Sequence, residues 1–238
     1  MEPTSGVDLP VGEERREPGR IVAVHGLPTS PQLWARVPLT IVAPALRGVA
    51  TADPREDWGL PSFVEELLPL LDADTTLVGH DLGGVIAAMA ALERPVRRLV
   101  LCGTALGPYW AMVRATALPP FHLYFYERHA GRRFLTGAVS PGQREHVLRS
   151  FPPIPDLARR MRWIAERMTP PPRLAQRVAE RVPVSLLWGR DDQWYPRPVV
   201  SALRRATGAD VHEVPGGHLT MWEHPDAWAH ALEGILRG

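Results

Sequence analysis

A stretch near residue 80 constrains the fold more than any other. Thr75-Thr76-Leu77-Val78 is β-branched and apolar, Gly79-His80-Asp81-Leu82-Gly83-Gly84 follows, and Val85, Ile86, Ala88, Met89 and Leu92 then recur at helical spacing. A strand that turns into a helix through glycines leaves little room at the turn, so small residues must flank it. Asp81 is then held out at the strand's carboxyl end with a helix N-terminus beneath it. A plain strand–turn–helix with Asp as the N-cap has the same local pattern, so the rest of the chain decides what the turn is for.

The rest repeats the theme. Apolar runs at residues 20–24, 41–46, 96–101, 182–188 and 209–214 predict further strands, and helical patterns separate them. Ser62 and Glu65 form a capping-box pattern that opens a helix over residues 63–71, which Pro69 should bend or end. Further helices are expected at residues 198–206 and 226–236. Strands alternating with helices predict an α/β fold with an open, mainly parallel central sheet covered on both faces. Ligands in such sheets bind beyond the carboxyl ends of the strands. His25, Asp81, the pair Asp191 and Asp192, and His218 all fall there.

Between Gly107 and Arg181 strand signals vanish and Arg and Pro become dense. Short helices are expected over residues 109–118, 121–136, 140–150, 156–168 and 172–181. The division is therefore a core of residues 1–106 and 182–238 with a helical cap, or lid, of residues 107–181 over the sheet's carboxyl edge. Residues 1–19 carry only weak patterning.

Composition closes off several alternatives. The 27 basic residues are all Arg, because the chain has no Lys, and there is no Asn either. Without Lys there is no Schiff-base chemistry, pyridoxal phosphate anchor or P-loop. The net charge of +1 comes without a long basic run, which argues against nucleic acid or an anionic membrane as partner. One cysteine, Cys102, permits no internal disulfide and no Cys cluster for a metal. No histidine pair has a ligand spacing, so no metal and no cofactor are expected. The 238 residues carry no apolar stretch approaching the ~18 needed to cross a bilayer, and a cytoplasmic chain, monomer or homodimer, is the simplest expectation.

The order Asp81, then Asp191 or Asp192, then His218 is that of a nucleophile, an acid and a base. With His25-Gly26-Leu27-Pro28, Gly79-His80-Asp81-Leu82-Gly83-Gly84, Trp188-Gly189-Arg190-Asp191-Asp192 and Gly216-Gly217-His218 in sequence, the chain resembles the α/β-hydrolase superfamily from Ile21 onward. Asp at the turn makes it similar to the Asp-nucleophile branch of epoxide hydrolases and of haloalkane and haloacid dehalogenases. The resemblance implies attack by Asp81 on an sp³ carbon, a covalent ester, and hydrolysis of that ester by water activated at His218. The family spacing puts the acid at Asp192 and makes Asp191 a turn residue. It also implies an oxyanion hole from the backbone N–H groups of Leu27 and Leu82, and shaping roles for His25 and His80.

The substrate implied is a small, mostly apolar molecule. Leu82 follows the nucleophile where haloalkane dehalogenases carry Trp and fluoroacetate dehalogenases carry Arg, which weakens both readings. Trp34, Trp110 and Trp163 are candidate halide donors. Epoxide hydrolases share the His-Gly-x-Pro turn and use cap tyrosines to donate to the epoxide oxygen. Phe121 stands where the first of these is expected, and His122, Tyr124, Tyr126 and Tyr109 are the candidate substitutes. Epoxide opening leads, carbon–halogen cleavage is the alternative, and a non-hydrolytic isomerase, cyclase or binding role on the same fold is a third.

Overall fold

The computed structural model describes residues 19–27, 29–49, 57, 59–107, 163–164, 166–192 and 194–238. Six strands form one sheet: β1 (Ile21–Val24), β2 (Ile41–Val42), β3 (Thr76–His80), β4 (Arg98–Cys102), β5 (Val184–Gly189) and β6 (Asp210–Val214). Their order is β2-β1-β3-β4-β5-β6, and every pairing is parallel. The order reverses direction at β1 and β3, the switch point where an open α/β sheet leaves a crevice. β1 ends in His25-Gly26-Leu27 and β3 ends in Asp81, so the two turns face each other across it.

Alternation along the strands builds two cores. Val22, Val24, Leu77, Leu99, Leu101 and Leu186 point to one face, with α1 (Leu60–Leu67), α2 (Leu82–Glu93), α3 (Leu174–Ala179) and α4 (Arg197–Thr207) packed over them. Ile21, Ala23, Val78, Val100 and Leu187 point to the other, covered by α5 (Thr220–Glu223), α6 (Pro225–Arg237) and Trp34. Strands β1 and β3 are buried along their whole length, as parallel strands between two helical layers must be. Trp34 and Trp228 stack at 5.5 Å and 50° in the second core; such a pair adds ~1 kcal/mol beyond its buried area.

Some boundaries differ from expectation. Helix α1 starts at Leu60, with Gly59 as N-cap and Pro61 in its first turn, and makes no side-chain cap bond. Ser62 therefore lies inside the helix, where its hydroxyl donates back to the Asp57 carbonyl at 3.5 Å. Proline needs no N–H partner in a first turn, so Pro61 overrides the capping-box signal. The second half becomes a 3-10 turn over Leu68–Leu70 around Pro69. Helix α3, at the end of the segment read as a cap, buries Leu174, Ala175 and Val178 in the main core. The cap helices expected over residues 109–118, 121–136 and 140–150 lie outside the described residues. No helix among the described residues is long and apolar enough to cross a membrane.

Candidate active site

Asp81 sits at φ 51°, ψ −121°, a region that L-residues rarely occupy. Holding it there costs ~1–3 kcal/mol, which the surroundings must supply. Its N–H is shared between the carbonyls of Cys102 and Gly103 at 3.2 and 3.1 Å. Its own carbonyl accepts from the Thr104 hydroxyl at 2.6 Å and from the Gly84 N–H at 3.0 Å. The flanking glycines are needed for close approach: a Cβ on Gly79 would lie 2.6 Å from the Gly84 Cα, and one on Gly83 would strike the carbonyls of Val24 and His25. Helix α2 can thus start directly over β3 and β1.

The Asp81 carboxylate is 8% exposed and has a partner on each oxygen. Oδ2 accepts from the Leu27 N–H at 3.1 Å, and the Leu82 N–H also bonds the carboxylate. A Cβ on Gly26 would land on this side chain, so the turn after β1 must be glycine there. The Leu27 donor is aimed by its own peptide group. The Gly26 carbonyl is held by His25 Nδ1–H at 2.8 Å and by the Thr29 hydroxyl at 2.9 Å. Because the peptide is planar and trans, fixing that carbonyl points the Leu27 N–H the opposite way, at Asp81. His25 Nε2 accepts from the Leu46 N–H at 3.2 Å, which sets the tautomer. Burial lowers the His25 pKa to about 4 against the raising effect of the Gly26 carbonyl, so the ring is neutral as this bond requires.

His218 and Asp192 complete the cluster. His218 Nδ1 donates to Asp192 Oδ2 at 3.1 Å, with the two side chains 1% and 2% exposed. Asp192 Oδ1 accepts from the backbone N–H groups of Trp194 and Tyr195 at 2.8 and 2.9 Å. Asp191 is exposed; its N–H bonds the Gly216 carbonyl and so ties the two loops together at 2.9 Å. Gly103, at φ 45°, lies under the pair: a Cβ there would be 2.9 Å from His218 Nδ1 and 3.2 Å from Asp192 Oδ2. His80 Nε2–H donates to the His218 carbonyl at 2.9 Å, with the rings 4.5 Å apart. Burial, and then the charge of His218, hold His80 well below the ordinary histidine range, so it stays a neutral prop.

The electrostatics follow from burial and charge pairing. Burial alone would lower His218, but the Asp192 carboxylate, then Asp81 and Glu223, outweigh it and raise its pKa above the ordinary value. Burial pushes the Asp81 carboxyl up against the pull of His218, the N–H groups of Leu82 and Leu27, and the Tyr195 hydroxyl. The arrangement offers a carboxylate on a buried turn, two backbone N–H donors to it, and an oriented imidazole beside it.

Two participants escaped the sequence reading. The Tyr195 hydroxyl donates to Asp81 Oδ1 at 2.9 Å, and its ring lies 5.5 Å from that of His218. Glu223, almost fully buried, accepts from the Gly217 N–H at 2.7 Å and so holds the glycine loop before His218. Trp34 lies in the second core, edge-on to His80 at 6.5 Å. Trp163 is half-buried against the main core. Tyr109, Trp110, Phe121, His122, Tyr124 and Tyr126 lie outside the described residues. Among the described residues no group of acidic, His and Cys side chains could hold a metal.

With the elbow, the two N–H donors and the His–Asp pair in place, the chain belongs to the alpha/beta hydrolase family, whose model matches residues 21–231. It is 27% identical over 241 residues to an uncharacterized protein of Mycobacterium tuberculosis, covering 85% of this chain and 68% of that one. It is 26% identical over 206 residues to a pimeloyl-[acyl-carrier protein] methyl ester esterase of Aeromonas hydrophila, covering 76% and 77%. Haloalkane dehalogenase DbeA of Bradyrhizobium elkani USDA94 shares the fold with a TM-score of 0.72 at 19% identity, over 94% of this chain and 91% of that one.

Proposed function

We propose that the chain hydrolyses its substrate through a covalent alkyl ester on Asp81, and that the substrate is a small apolar epoxide opened to a diol. The observation that carries this reading is the placement of the Asp81 carboxylate against the N–H groups of Leu27, which bonds Oδ2, and of Leu82. In a serine enzyme of this fold those donors receive the substrate's carbonyl oxygen. Here they bond the nucleophile's own carboxylate, which suits an enzyme whose tetrahedral intermediate forms on the Asp81 carboxyl carbon. Asp81 Oδ1 then attacks the ring carbon, the carbon–oxygen bond opens, and the oxygen takes a proton from water. Esterification removes the Asp81 charge, and with it one of the causes that raise His218. The imidazole is thereby more readily neutral at the point where it must accept a proton, and Nε2 takes one from the water that attacks the ester. Asp192 holds the ring and stabilises its protonated form.

Cleavage of a carbon–halogen bond would use the same first step on the same carboxylate. Leu82 offers a halide no side-chain N–H, and Trp34 lies in the second core, so the epoxide reading leads. Exposing the His218→Gln variant to a panel of epoxides, haloalkanes, haloacids and esters separates the classes. The expected result is an intact-mass increase from the epoxides, mapped to Asp81. A single turnover in water enriched in the heavy oxygen isotope should also label Asp81 of the native enzyme. Catalysed turnover without label would refute the covalent route.

A further inference from the structure

Tyr195 is fixed at every polar group. Its N–H donates to Asp192 Oδ1 at 2.9 Å, its carbonyl accepts from Trp188 Nε1 at 3.0 Å, its ring is 3% exposed, and its hydroxyl donates to Asp81 Oδ1 at 2.9 Å. The two carboxylate oxygens are therefore sorted. Oδ2 takes the Leu27 N–H, and Oδ1 carries the phenol. The following inference rests on the ester mechanism above. Oδ1 is then the atom that bonds to substrate, and it is also the atom that departs with product when the ester is hydrolysed.

We propose that Tyr195 is a catalytic residue of the second step, donating to Oδ1 as the bond from the Asp81 carboxyl carbon to Oδ1 breaks. In-line displacement expels the first leaving group on the far side of the attacked carbon, away from Oδ1, so a different donor must serve that step. In the second step water adds to the carboxyl carbon, His218 Nε2 takes one of its protons, and negative charge gathers on Oδ2 at the Leu27 N–H. When the intermediate collapses, the electron pair of the carbon–Oδ1 bond goes to Oδ1, which leaves on the product carbon. The phenol proton passes to that alkoxide, a stronger base than phenolate. The phenolate, with an ordinary conjugate pKa of ~10 against ~6.5 for imidazolium, recovers the proton from His218. The carboxyl group re-forms with the oxygen of water in the Oδ1 position, under the same hydroxyl, and sheds the second proton of that water to solvent to restore the carboxylate. No side chain has to move, because the bond seen in the resting site already lies on the departing atom.

The test measures the two half-reactions separately by rapid quenching and intact mass, with styrene oxide and bromohexane as probes. In Tyr195→Phe, alkylation of Asp81 should stay within about threefold of the native rate while ester hydrolysis falls about 10²-fold, so the ester accumulates. Hydrolysis within threefold of native, or both steps falling in equal proportion, would overturn the proposal, since a packing role moves them together. Fluorotyrosine incorporated at position 195 keeps the ring and hydroxyl and lowers the phenol pKa. The alkaline limb of ester hydrolysis should then shift to lower pH, and an unmoved limb counts against the proposal. His218→Gln separates the two ideas. Ester in that variant with normal hydrolysis in Tyr195→Phe removes only the tyrosine's role, whereas no ester from either probe removes the Asp81 reading as well.

Discussion

Replacing Asp192 with Asn tests the base more sharply than deleting it. Asp192 Oδ1 accepts from the Trp194 and Tyr195 N–H groups at 2.8 and 2.9 Å, and Oδ2 accepts from His218 at 3.1 Å. An Asn can keep its carbonyl on the two backbone donors, so the loop retains its fold. It then turns an NH₂ toward His218, and two donors cannot share one hydrogen bond. The imidazole must adopt the other tautomer, with hydrogen on Nε2, the nitrogen that receives a proton from water in the proposed mechanism. The variant also loses the largest pull that raises His218, leaving burial to lower it. The same inversion in the serine-protease template reduces kcat about 10⁴-fold, or ~5.4 kcal/mol at ~1.36 kcal/mol per factor of ten. Ester hydrolysis should therefore fall by about that factor, while alkylation, which needs only Asp81, proceeds. The assay is quench-flow with styrene oxide read by intact mass, with Asp191→Asn as control. Asp191 is exposed, and its variant should stay within about twofold of native, as surface changes do. Hydrolysis in Asp192→Asn within about tenfold of native, or ester accumulating in Asp191→Asn instead, would refute the reasoning.

Two further outcomes follow from the elbow. Thr104→Val keeps the shape but removes the hydroxyl from the Asp81 carbonyl, which retains Gly84 as donor. It should lose about 1 kcal/mol and ~2–4 °C of Tm, and an unchanged melting curve would show that the bond does not hold the turn. Asp81→Asn should raise stability to urea at pH 7, because the Asp81 pKa is raised in the fold by burial. The folded state there binds the proton more tightly than the unfolded chain, so charging the group opposes folding. That cost is full above the folded pKa and vanishes below the unfolded value of ~3.9. The gain should therefore shrink toward pH 4, and a native protein as stable as the variant at pH 7 would contradict it.

Much of the scaffold could be read from the chain because periodicity and glycine placement are local properties. The strands at Ile21–Val24 and Thr76–His80, each starting one residue later than its apolar run, the turn at Asp81 and the glycines before His218 follow from short stretches. The extent of β2 did not follow, because the run 41–46 contains Pro44 and only Ile41 and Val42 pair with β1. Tyr195 was invisible for a different reason. Its hydroxyl reaches Asp81, 114 residues away in the chain, only because Asp192 Oδ1 folds the loop back on itself through two backbone bonds. A tyrosine three residues beyond an acidic residue carries no signal of that in one dimension. Glu223 is similar: its carboxylate is buried beside Asp191 and His218, and nothing in its neighbours marks it as more than a helix residue.

The two N–H groups that hold the Asp81 carboxylate have a consequence for chemical probes. Reagents built for serine enzymes of this fold, such as fluorophosphonates, present a phosphoryl oxygen to an empty pair of donors and an electrophilic centre to a hydroxyl. Here the donors are already engaged by the protein's own carboxylate, and no hydroxyl stands at position 81. On the proposed ester mechanism, such reagents should pass this protein by, whereas epoxide or alkyl halide groups on an apolar tail should be captured at Oδ1. Labelling by the second kind of reagent and silence toward the first would mark this protein out from serine members of its family in a mixed proteome, before any natural substrate is in hand.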